Sequence, residues 1–376
     1  MTSILWLTHR DPLNTHAGGA EESMRQITSG LVNRGHEVSI LSPRYSGQSD
    51  QAILDGVRIL RVGSVVSNHL LVPRLVTRSL RPDFVVVDLA HVIPWLTSFY
   101  ASARTVAFFR HYHARTLPGQ VPVVGQILLR SVEQAYPLIF RRDPFVVPSE
   151  SARHDLIQLG VRPDHTVLIP YGVNKDLFVP GEQDRIPRII HFAGLRPYKR
   201  VDHAVRAFKH VIDRGTEARM IIVGEGPVKP ALIRLAQDLG LSGKIEFPGR
   251  VSRQALAALV GRSTVHVQTS TSEGWGLTVT EAAACGVPTA AYDVPGLSDA
   301  VREGPRGILV ESGNIESLGD AIIRLIEDRA KWAYTLVRDS KLRTWLSVSN
   351  DWDALFSSNL RATPRGLETG AVPPAT

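Results

Sequence analysis

The chain has 376 residues, a hydrophobic fraction of 43% and a charged fraction of 21%. These values exclude a disordered or fibrous protein and allow two domains with apolar cores. The formal net charge of +7 favours acidic partners such as nucleotides or anionic lipid surfaces. The basic residues are scattered, which excludes a nucleic-acid-binding arm. The single cysteine, Cys285, excludes an internal disulfide framework and a Cys-rich metal site.

The first half of the chain alternates short apolar runs with amphipathic stretches, which is typical of repeated βα units around a parallel sheet. The first strand is predicted at residues 4–8, and the helix after it has Met24 and Ile27 on one face. Further strands are predicted at residues 38–41, 84–87, 105–109, 144–147 and 167–169. The pattern predicts a first Rossmann-like domain over residues 1–178.

The alternation lapses at residues 178–187, where two prolines, a glycine and three charges predict a domain boundary. Strands are then predicted at residues 188–192, 220–223, 245–247, 265–268, 288–291 and 308–310. They define a second Rossmann-like domain over residues 179–330. Because parallel sheets of this kind bind ligands at the carboxyl ends of their strands, we expect a ligand in a cleft between the domains.

The end of the chain is predicted to hold two kinds of segment. Residues 331–360 carry an apolar helical pattern that includes Trp345 and Trp352, which predicts helices packed back on the first domain. Residues 361–376 are rich in proline, glycine and threonine and are predicted to be disordered.

Residues 271–288 carry the strongest chemical signal, because they follow a predicted strand and open a helix. Glu273 lies in the loop, the helix N-terminus offers unpaired N–H groups to an anion, and Glu281 can accept from a ribose diol. The residues expected around the ligand between these two acids are Gly274, Trp275, Gly276, Leu277 and Thr278. The segment suits one ligand with sugar, diphosphate and ribose parts. Alternatively, Glu273 caps the helix and Glu281 is a solvated surface residue.

A cationic segment follows the first strand of the second domain. Arg196 offers a planar fork of donors and Lys199 a point charge, which together suit a diphosphate. Cations at this position would stabilise the negative charge that grows on a departing phosphate. The alternative is an exposed helix N-terminus, although cations there oppose the helix dipole.

The Glu-x7-Glu spacing of Glu273 and Glu281, followed by Ala-Ala-Ala-Cys-Gly-Val-Pro, resembles the signature of the retaining glycosyltransferases of family 4, or group 1. The resemblance implies the α/β GT-B fold, with two doubly wound Rossmann-like domains facing an interdomain cleft. It implies an acceptor-binding first domain and a second domain that binds the nucleotide sugar. It also implies that Glu273 contacts the donor sugar, that Glu281 binds the ribose and that Lys199 and Arg196 bind the diphosphate. Gly194 stands where the family usually has an arginine.

Other segments match the family at single positions. The resemblance assigns a phosphate and acceptor loop to Gly18, Gly19 and Glu21. His111, with His113 as its rival, stands where a family histidine contacts the donor sugar; a polar loop with a satisfied histidine is the alternative. Gly224 and Arg250 lie in loops that border the nucleotide in the family.

The function implied by the resemblance is transfer of a sugar, with retention at the anomeric carbon, from a nucleoside diphosphate sugar to a hydroxyl acceptor. The acceptor is a glycan, a lipid-linked molecule or a small molecule. No cofactor or metal is expected, because cations take the place of a metal. The alternatives are a nucleotide-sugar 2-epimerase-like GT-B enzyme and a non-catalytic nucleotide-sugar-binding protein.

The sequence also carries expectations about location. The first ten residues do not resemble a signal peptide, and no apolar run has the length of a membrane span. We therefore expect a cytoplasmic protein that does not bind nucleic acid. The basic balance leaves open a peripheral contact with the anionic inner face of the membrane.

Overall fold

The computed structural model describes residues 1–91 and 93–358, which form two separate β-sheets with helices on both faces. The strands of the first sheet are β1 (Ser3–Leu7), β2 (Glu37–Ser42), β3 (Gln51–Leu54), β4 (Val57–Arg61), β5 (Phe84–Asp88), β6 (Arg104–Phe108), β7 (Phe145–Val147) and β8 (Thr166–Leu168). Their order is β3-β4-β2-β1-β5-β6-β7-β8. β3 pairs antiparallel with β4, whereas the neighbours of β1 and β5 run parallel to them.

The second sheet is parallel and has six strands in the order β11-β10-β9-β12-β13-β14. Its strands are β9 (Arg188–Phe192), β10 (Arg219–Val223), β11 (Ile245–Gly249), β12 (Val265–Gln268), β13 (Thr289–Tyr292) and β14 (Gly307–Val310). One mostly parallel and one parallel sheet, both with helical connections, confirm the predicted α/β class. In both sheets the strand order reverses beside the first strand, which is where doubly wound folds bind ligands.

Helices connect the strands of both sheets. Those of the first half are α1 (Gly19–Val32), α2 (Val65–Arg74), α3 (Thr97–Tyr100), α4 (Val123–Gln134), α5 (Tyr136–Ile139) and α6 (Glu150–Gln158). Those of the second half are α7 (Val201–Asp213), α8 (Lys229–Asp238), α9 (Arg253–Gly261), α10 (Leu277–Ala284), α11 (Leu297–Arg302), α12 (Ile315–Glu327), α13 (Arg329–Val337) and α14 (Trp345–Ser357). Within the ranges that the structure describes, none of these helices is long and apolar enough to cross a membrane.

The last two helices pack on different halves of the molecule. α14 lies against α1, and its Trp352 packs on Trp6 at 5.1 Å between ring centroids. α13 instead contacts α10 and α12, where Leu336 is buried with Cys285. The expectation that all of residues 331–360 pack on the first domain is therefore wrong for α13. The predicted disorder of residues 361–376 lies outside the described residues.

Two strands had no counterpart in the sequence prediction. β3 and β4 are short, and in β4 the buried Val57 and Ile59 alternate with the exposed Arg58 and the half-buried Leu60. The alternation is too brief to stand out from the polar residues around it. The connection between the two sheets runs from Leu168 to Arg188 and contains the predicted boundary.

Candidate active site

Lys199 and Glu273 meet at the carboxyl ends of two adjacent strands, β9 and β12. Lys199 ends a 3₁₀ turn, and Glu273 lies in the loop between β12 and α10. Nζ of Lys199 donates to Oε1 of Glu273, with side chains that are only 12% and 16% exposed. The same oxygen accepts from Ser270 Oγ at 2.6 Å and from Gln268 Nε2 at 3.3 Å. Three donors therefore fix the carboxylate, and two of them are neutral.

The environment keeps Lys199 charged. Burial by itself lowers the pKa of Lys199, but the charge of Glu273 and the hydrogen bonds to Glu273 and Tyr198 outweigh it and raise the pKa above its ordinary value. Thr269 holds the 3₁₀ turn that ends at Lys199, because its Oγ1 donates to the carbonyl oxygens of Lys199 and Arg200 at 2.9 and 2.8 Å. The result is a permanent cation held in a site that is largely shielded from water.

His111 approaches the same place from the first sheet, where it follows β6. Its pKa is lowered well below the ordinary value by burial and then by the nearby charges of His113 and Lys199, so the ring is neutral near pH 7. Its rival His113 is tied into the first domain: Nδ1 lies 3.0 Å from Oε1 of Glu133, and Nε2 lies 3.1 Å from the carbonyl oxygen of Ala90. Only His111 has ring nitrogens without such partners within the described residues. The choice of His111 as the ligand-facing histidine stays a prediction.

A buried polar network that the sequence interpretation missed supports His111. Arg110 donates from Nε and Nη2 to both oxygens of Asp88, and from Nη1 to Ser23 Oγ and Tyr171 Oη, all at 2.7 Å. Asp88 raises the pKa of Arg110 although burial opposes this. Arg110 directly precedes His111 in the sequence, but its hydrogen-bond partners lie 22 to 87 positions away. No local pattern could have identified them.

Two glycines bring the loop after β12 close to its neighbours. A Cβ on Gly274 would lie 2.7 Å from the carbonyl oxygen of Arg110, so the loop touches the strand end of the first sheet. Gly296 has φ +80°, and a Cβ there would lie 2.1 Å from the carbonyl oxygen of Glu273. A side chain at either position would therefore displace the loop that carries Glu273.

Glu281 lies in the second turn of α10 and is buried. Arg253, at the start of α9, donates from Nη2 to Oε1 of Glu281 at 2.8 Å and lies 3.9 Å from Glu22 of the first domain. Burial raises the pKa of Glu281, and Arg253 offsets this in part. Arg250 also reaches the first domain, with Nη1 2.8 Å from the carbonyl oxygen of Thr15. Arg250 and Arg253 therefore link the second domain to the first near Glu281. The sequence predicted Arg250 as a site residue but not Arg253.

The Gly-Gly loop after β1 meets α10. A Cβ on Gly19 would lie 3.3 Å from Cδ1 of Leu277, the first residue of α10. The amide of Gly18 donates to Oε2 of Glu21 at 2.7 Å, and Oε1 of Glu21 lies 3.5 Å from Arg10. The Glu21 carboxylate is thus engaged at the start of α1. The two glycines are the part of this loop that borders the cleft.

Of three further predicted site residues, two are exposed and one is tightly packed. Arg196 is exposed, and its side chain makes no hydrogen bond or ion pair within the described part of the chain; Gly194 is exposed with open space around it. A Cβ on Gly224 (φ +141°) would lie 1.9 Å from the carbonyl oxygen of Ala193. Gly224 is therefore required for the packing of two strand ends against each other.

The segment from residue 271 to residue 278, which is the loop before α10 and the start of that helix, contains four buried polar side-chain atoms without a hydrogen-bond partner among the described residues. They are Oγ1 of Thr271, Oγ of Ser272, Nε1 of Trp275 and Oγ1 of Thr278. A buried polar atom without a partner costs about 1–3 kcal/mol, so the loop is suited to a polar ligand. Residues 1–91 and 93–358 contain no group of three His, Cys, Asp or Glu side chains placed to hold a metal ion.

Two family descriptions match consecutive parts of the chain. Glycosyltransferase Family 4 matches residues 17–177, and Glycosyl transferases group 1 matches residues 173–338. The chain belongs to the group 1 glycosyltransferases. The family membership inferred from the acid pair in residues 271–288 is thereby confirmed.

Among group 1 relatives, a D-inositol 3-phosphate glycosyltransferase of Acidothermus cellulolyticus is 31% identical over 237 residues, which are 57% of this chain and 52% of that protein. The chain thus spans about half the length of this curated relative. A sucrose-phosphate synthase of Thermosynechococcus elongatus has a TM-score of 0.80 at 19% identity, covering 95% of this chain and 98% of that one. HepE of Anabaena, in complex with UDP-glucose, has a TM-score of 0.77 at 18% identity, covering 95% and 100%. These structures confirm the predicted GT-B fold.

Proposed function

We propose that the chain transfers a sugar from a nucleoside diphosphate sugar to a hydroxyl acceptor, with retention at the anomeric carbon and without a metal. The observation that carries the proposal is the shielded Lys199–Glu273 pair opposite His111. It combines a permanent cation, a fixed carboxylate and a neutral imidazole where the two sheets meet.

In this proposal the donor lies along the loop before α10 and the first turn of that helix. Glu281 accepts hydrogen bonds from the ribose diol. The ribose hydroxyls either replace Arg253 as the donor to Glu281 or bind beside it. The α10 N-terminus and Lys199 face the diphosphate, since both favour negative charge. Arg196, which has no protein partner in the described part of the chain, swings to the same anion. Glu273 accepts from sugar hydroxyls.

The reaction breaks the bond between the anomeric carbon and the diphosphate oxygen and forms a bond from that carbon to the acceptor oxygen on the same face. The acceptor's proton passes to the departing phosphate oxygen, so charges and atoms balance. Lys199 stabilises the charge that develops on the diphosphate, the role that a metal has in other transferases. Neutral His111 donates a hydrogen bond to the sugar near the reacting carbon without adding a second cation.

The first experiment identifies the donor. UDP, GDP and ADP sugars, beginning with UDP-glucose, are screened by thermal shift, because a ligand that binds only the folded state raises its apparent stability. Glu281→Gln should weaken the best nucleotide roughly tenfold, since a charge-assisted hydrogen bond contributes about 1.5–3 kcal/mol. Glu246→Gln, on exposed β11 surface, is the control. Equal affinity of the Glu281 variant and the wild type would contradict the ribose assignment.

The second experiment tests transfer, retention and metal independence. Acceptors, including D-inositol 3-phosphate, are incubated with the identified donor with and without EDTA, and the anomeric configuration of the product is read by NMR. The proposal requires an acceptor-dependent product with the donor's configuration and an unchanged rate in EDTA. Inversion, or loss of activity in EDTA that a divalent ion restores, would refute the corresponding part. Conversion of the donor to an epimer without acceptor would favour the 2-epimerase alternative.

A further inference from the structure

The helices on one face of the first sheet expose large apolar side chains. On α4, Val124, Ile127 and Leu128 are between 61% and 80% exposed. On α2, Val66 and Leu70 are both 77% exposed, and Phe99 of α3 is 70% exposed. We call these six residues the outer apolar face. Helices of a water-soluble domain normally turn such residues inward, so this face is built to be covered.

The six residues belong to one layer of the fold. Val72 of α2, Tyr136 of α5 and Leu156 of α6 are buried in a single cluster with side chains of β1, β5 and β6, and Val132 of α4 packs against it. α1 and α14 cover the opposite face of the sheet, where Met24 and Trp352 are buried. The outer apolar face therefore lies on one side of the molecule, and the helices that carry it are anchored from beneath.

The exposed charges on α2, α4 and α5, and in the segments directly after them, are mainly basic. Acids of the same layer are Glu150 and Asp155 on α6, and Asp143, which accepts from Ser98 of α3. Residues 56–82 contain no acid, and between residues 113 and 142 the one acid is Glu133, which is buried and accepts from the backbone of His113. Six exposed arginines lie on the same helices or directly after them, and none forms an ion pair with the described residues. They are Arg74, Arg78, Arg81, Arg130, Arg141 and Arg142. Two copies meeting through this face would bring like charges together, which disfavours a dimer.

The layer also borders the candidate active site. A depression of about 590 Å³ lies between α4 and the loop before α10, with Arg115, Arg130 and Thr271 in its wall. A surface that contacts the outer apolar face would reach this depression without crossing the molecule.

We propose that the outer apolar face docks on an anionic lipid bilayer. Apolar side chains from helices lying in the interface enter the boundary between headgroups and acyl chains, while arginines around them bind lipid phosphates. An anionic bilayer matches both the apolar residues and the six exposed arginines that have no acidic partner among the described residues. The docking does not depend on the proposed transfer activity, but it orients the cleft toward acceptors held in the membrane.

The experiment is co-sedimentation of the full chain with vesicles of phosphatidylcholine alone or mixed with phosphatidylglycerol. We expect binding to the anionic vesicles that weakens as salt increases. The double variant Ile127→Gln/Leu128→Gln should reduce the partition coefficient at least roughly tenfold, because two buried aliphatic side chains are lost. Each neutralisation, Arg141→Gln or Arg142→Gln, should reduce it roughly fivefold.

Matched controls come from the rest of the chain. Leu346→Gln removes a leucine that is 69% exposed on α14, and Arg206→Gln removes an exposed arginine of α7; neither should change binding. Because the substituted side chains are exposed, the variants should keep the wild-type circular dichroism spectrum and melting temperature. Nucleotide binding, measured without lipid, should also stay unchanged.

Several results would overturn the docking proposal. Wild-type protein that stays in the supernatant with anionic vesicles at low salt would do so, as would a Ile127→Gln/Leu128→Gln variant that binds like the wild type. If the wild type sedimented as a dimer and bound no vesicles, and the variant sedimented as a monomer, the face would be an interface between copies of the chain instead. Vesicle binding by a chain that binds no nucleotide sugar would leave the docking face in place and refute the proposed transferase function instead.

Discussion

Replacing Lys199 by alanine removes the cation from the centre of the candidate site. The Lys199 side chain is 12% exposed, so little water screens its charge. At an effective dielectric constant of about 20, opposite unit charges about 4 Å apart interact by about 4 kcal/mol. If that energy is realised as charge develops on the departing diphosphate, kcat falls by roughly two to three powers of ten.

The fold should tolerate this change. Glu273 keeps its hydrogen bonds from Ser270 and Gln268, so the variant should lose only about 1–3 kcal/mol of unfolding free energy. Lys209→Ala is the matched control, because Lys209 forms an exposed pair with Asp213 within α7. Such pairs contribute about 0.3–0.5 kcal/mol, and this variant should turn over like the wild type.

The assay is release of nucleoside diphosphate during transfer, followed at saturating donor and acceptor for the wild type and both variants, with urea unfolding in parallel. A Lys199→Ala enzyme with wild-type kcat would refute the assignment of Lys199 to the leaving group. A variant that is inactive because it is unfolded would be recognised from the urea curve, and Lys199→Gln, which preserves the aliphatic stem, would then be measured instead.

Three further outcomes follow from the buried parts of the site. Arg110→Met leaves the Asp88 charge buried without its main partner and should cost about 3–5 kcal/mol of unfolding free energy in urea; a loss below about 1 kcal/mol would contradict the network. Gly296→Ala should reduce kcat strongly, because its Cβ would strike the carbonyl oxygen of Glu273, whereas Gly313→Ala, with φ +95° and open space around it, should leave kcat unchanged; equal effects would refute the steric argument. Burial lowers the pKa of His9 to about 2. The unfolded chain therefore takes up a proton on this residue near pH 6.5 that the native state does not bind, and His9 alone should lower the stability by about 1.4 kcal/mol per pH unit below that point. His9→Asn should show a correspondingly smaller loss between pH 7 and pH 5 in urea titrations, and equal slopes would disprove it.

Much of the fold could be read from local pattern. The strands that align with β1, β5, β9 and β12 are apolar runs buried on both faces, which is the signal that parallel sheets leave in a sequence. The sequence pattern did not predict β3 and β4, because both strands are short and partly exposed. The packing of α13 was misjudged because an apolar helix face does not reveal which surface will cover it.

The acid pair of residues 271–288 was determined by the sequence, because spacing along one loop and one helix is a local property. The sequence predicts that Glu281 accepts from a ligand. In the structure Glu281 is buried and paired with Arg253, and its contact with a ligand stays a prediction. Lys199 was also indicated locally, as a cation at a strand end.

Only the tertiary structure brings Lys199 to Glu273, 74 residues away, and holds Arg110 by Asp88, Ser23 and Tyr171. Sheet order decides these contacts, since adjacent parallel strands such as β9 and β12 are separated by long crossovers in the chain. The sequence did not predict the outer apolar face either. A helical pattern of leucines and valines indicates that one side of a helix is covered, but it does not show whether the protein itself covers that side. Sequence by itself therefore determines which groups are available, and the crossovers decide which of them act together.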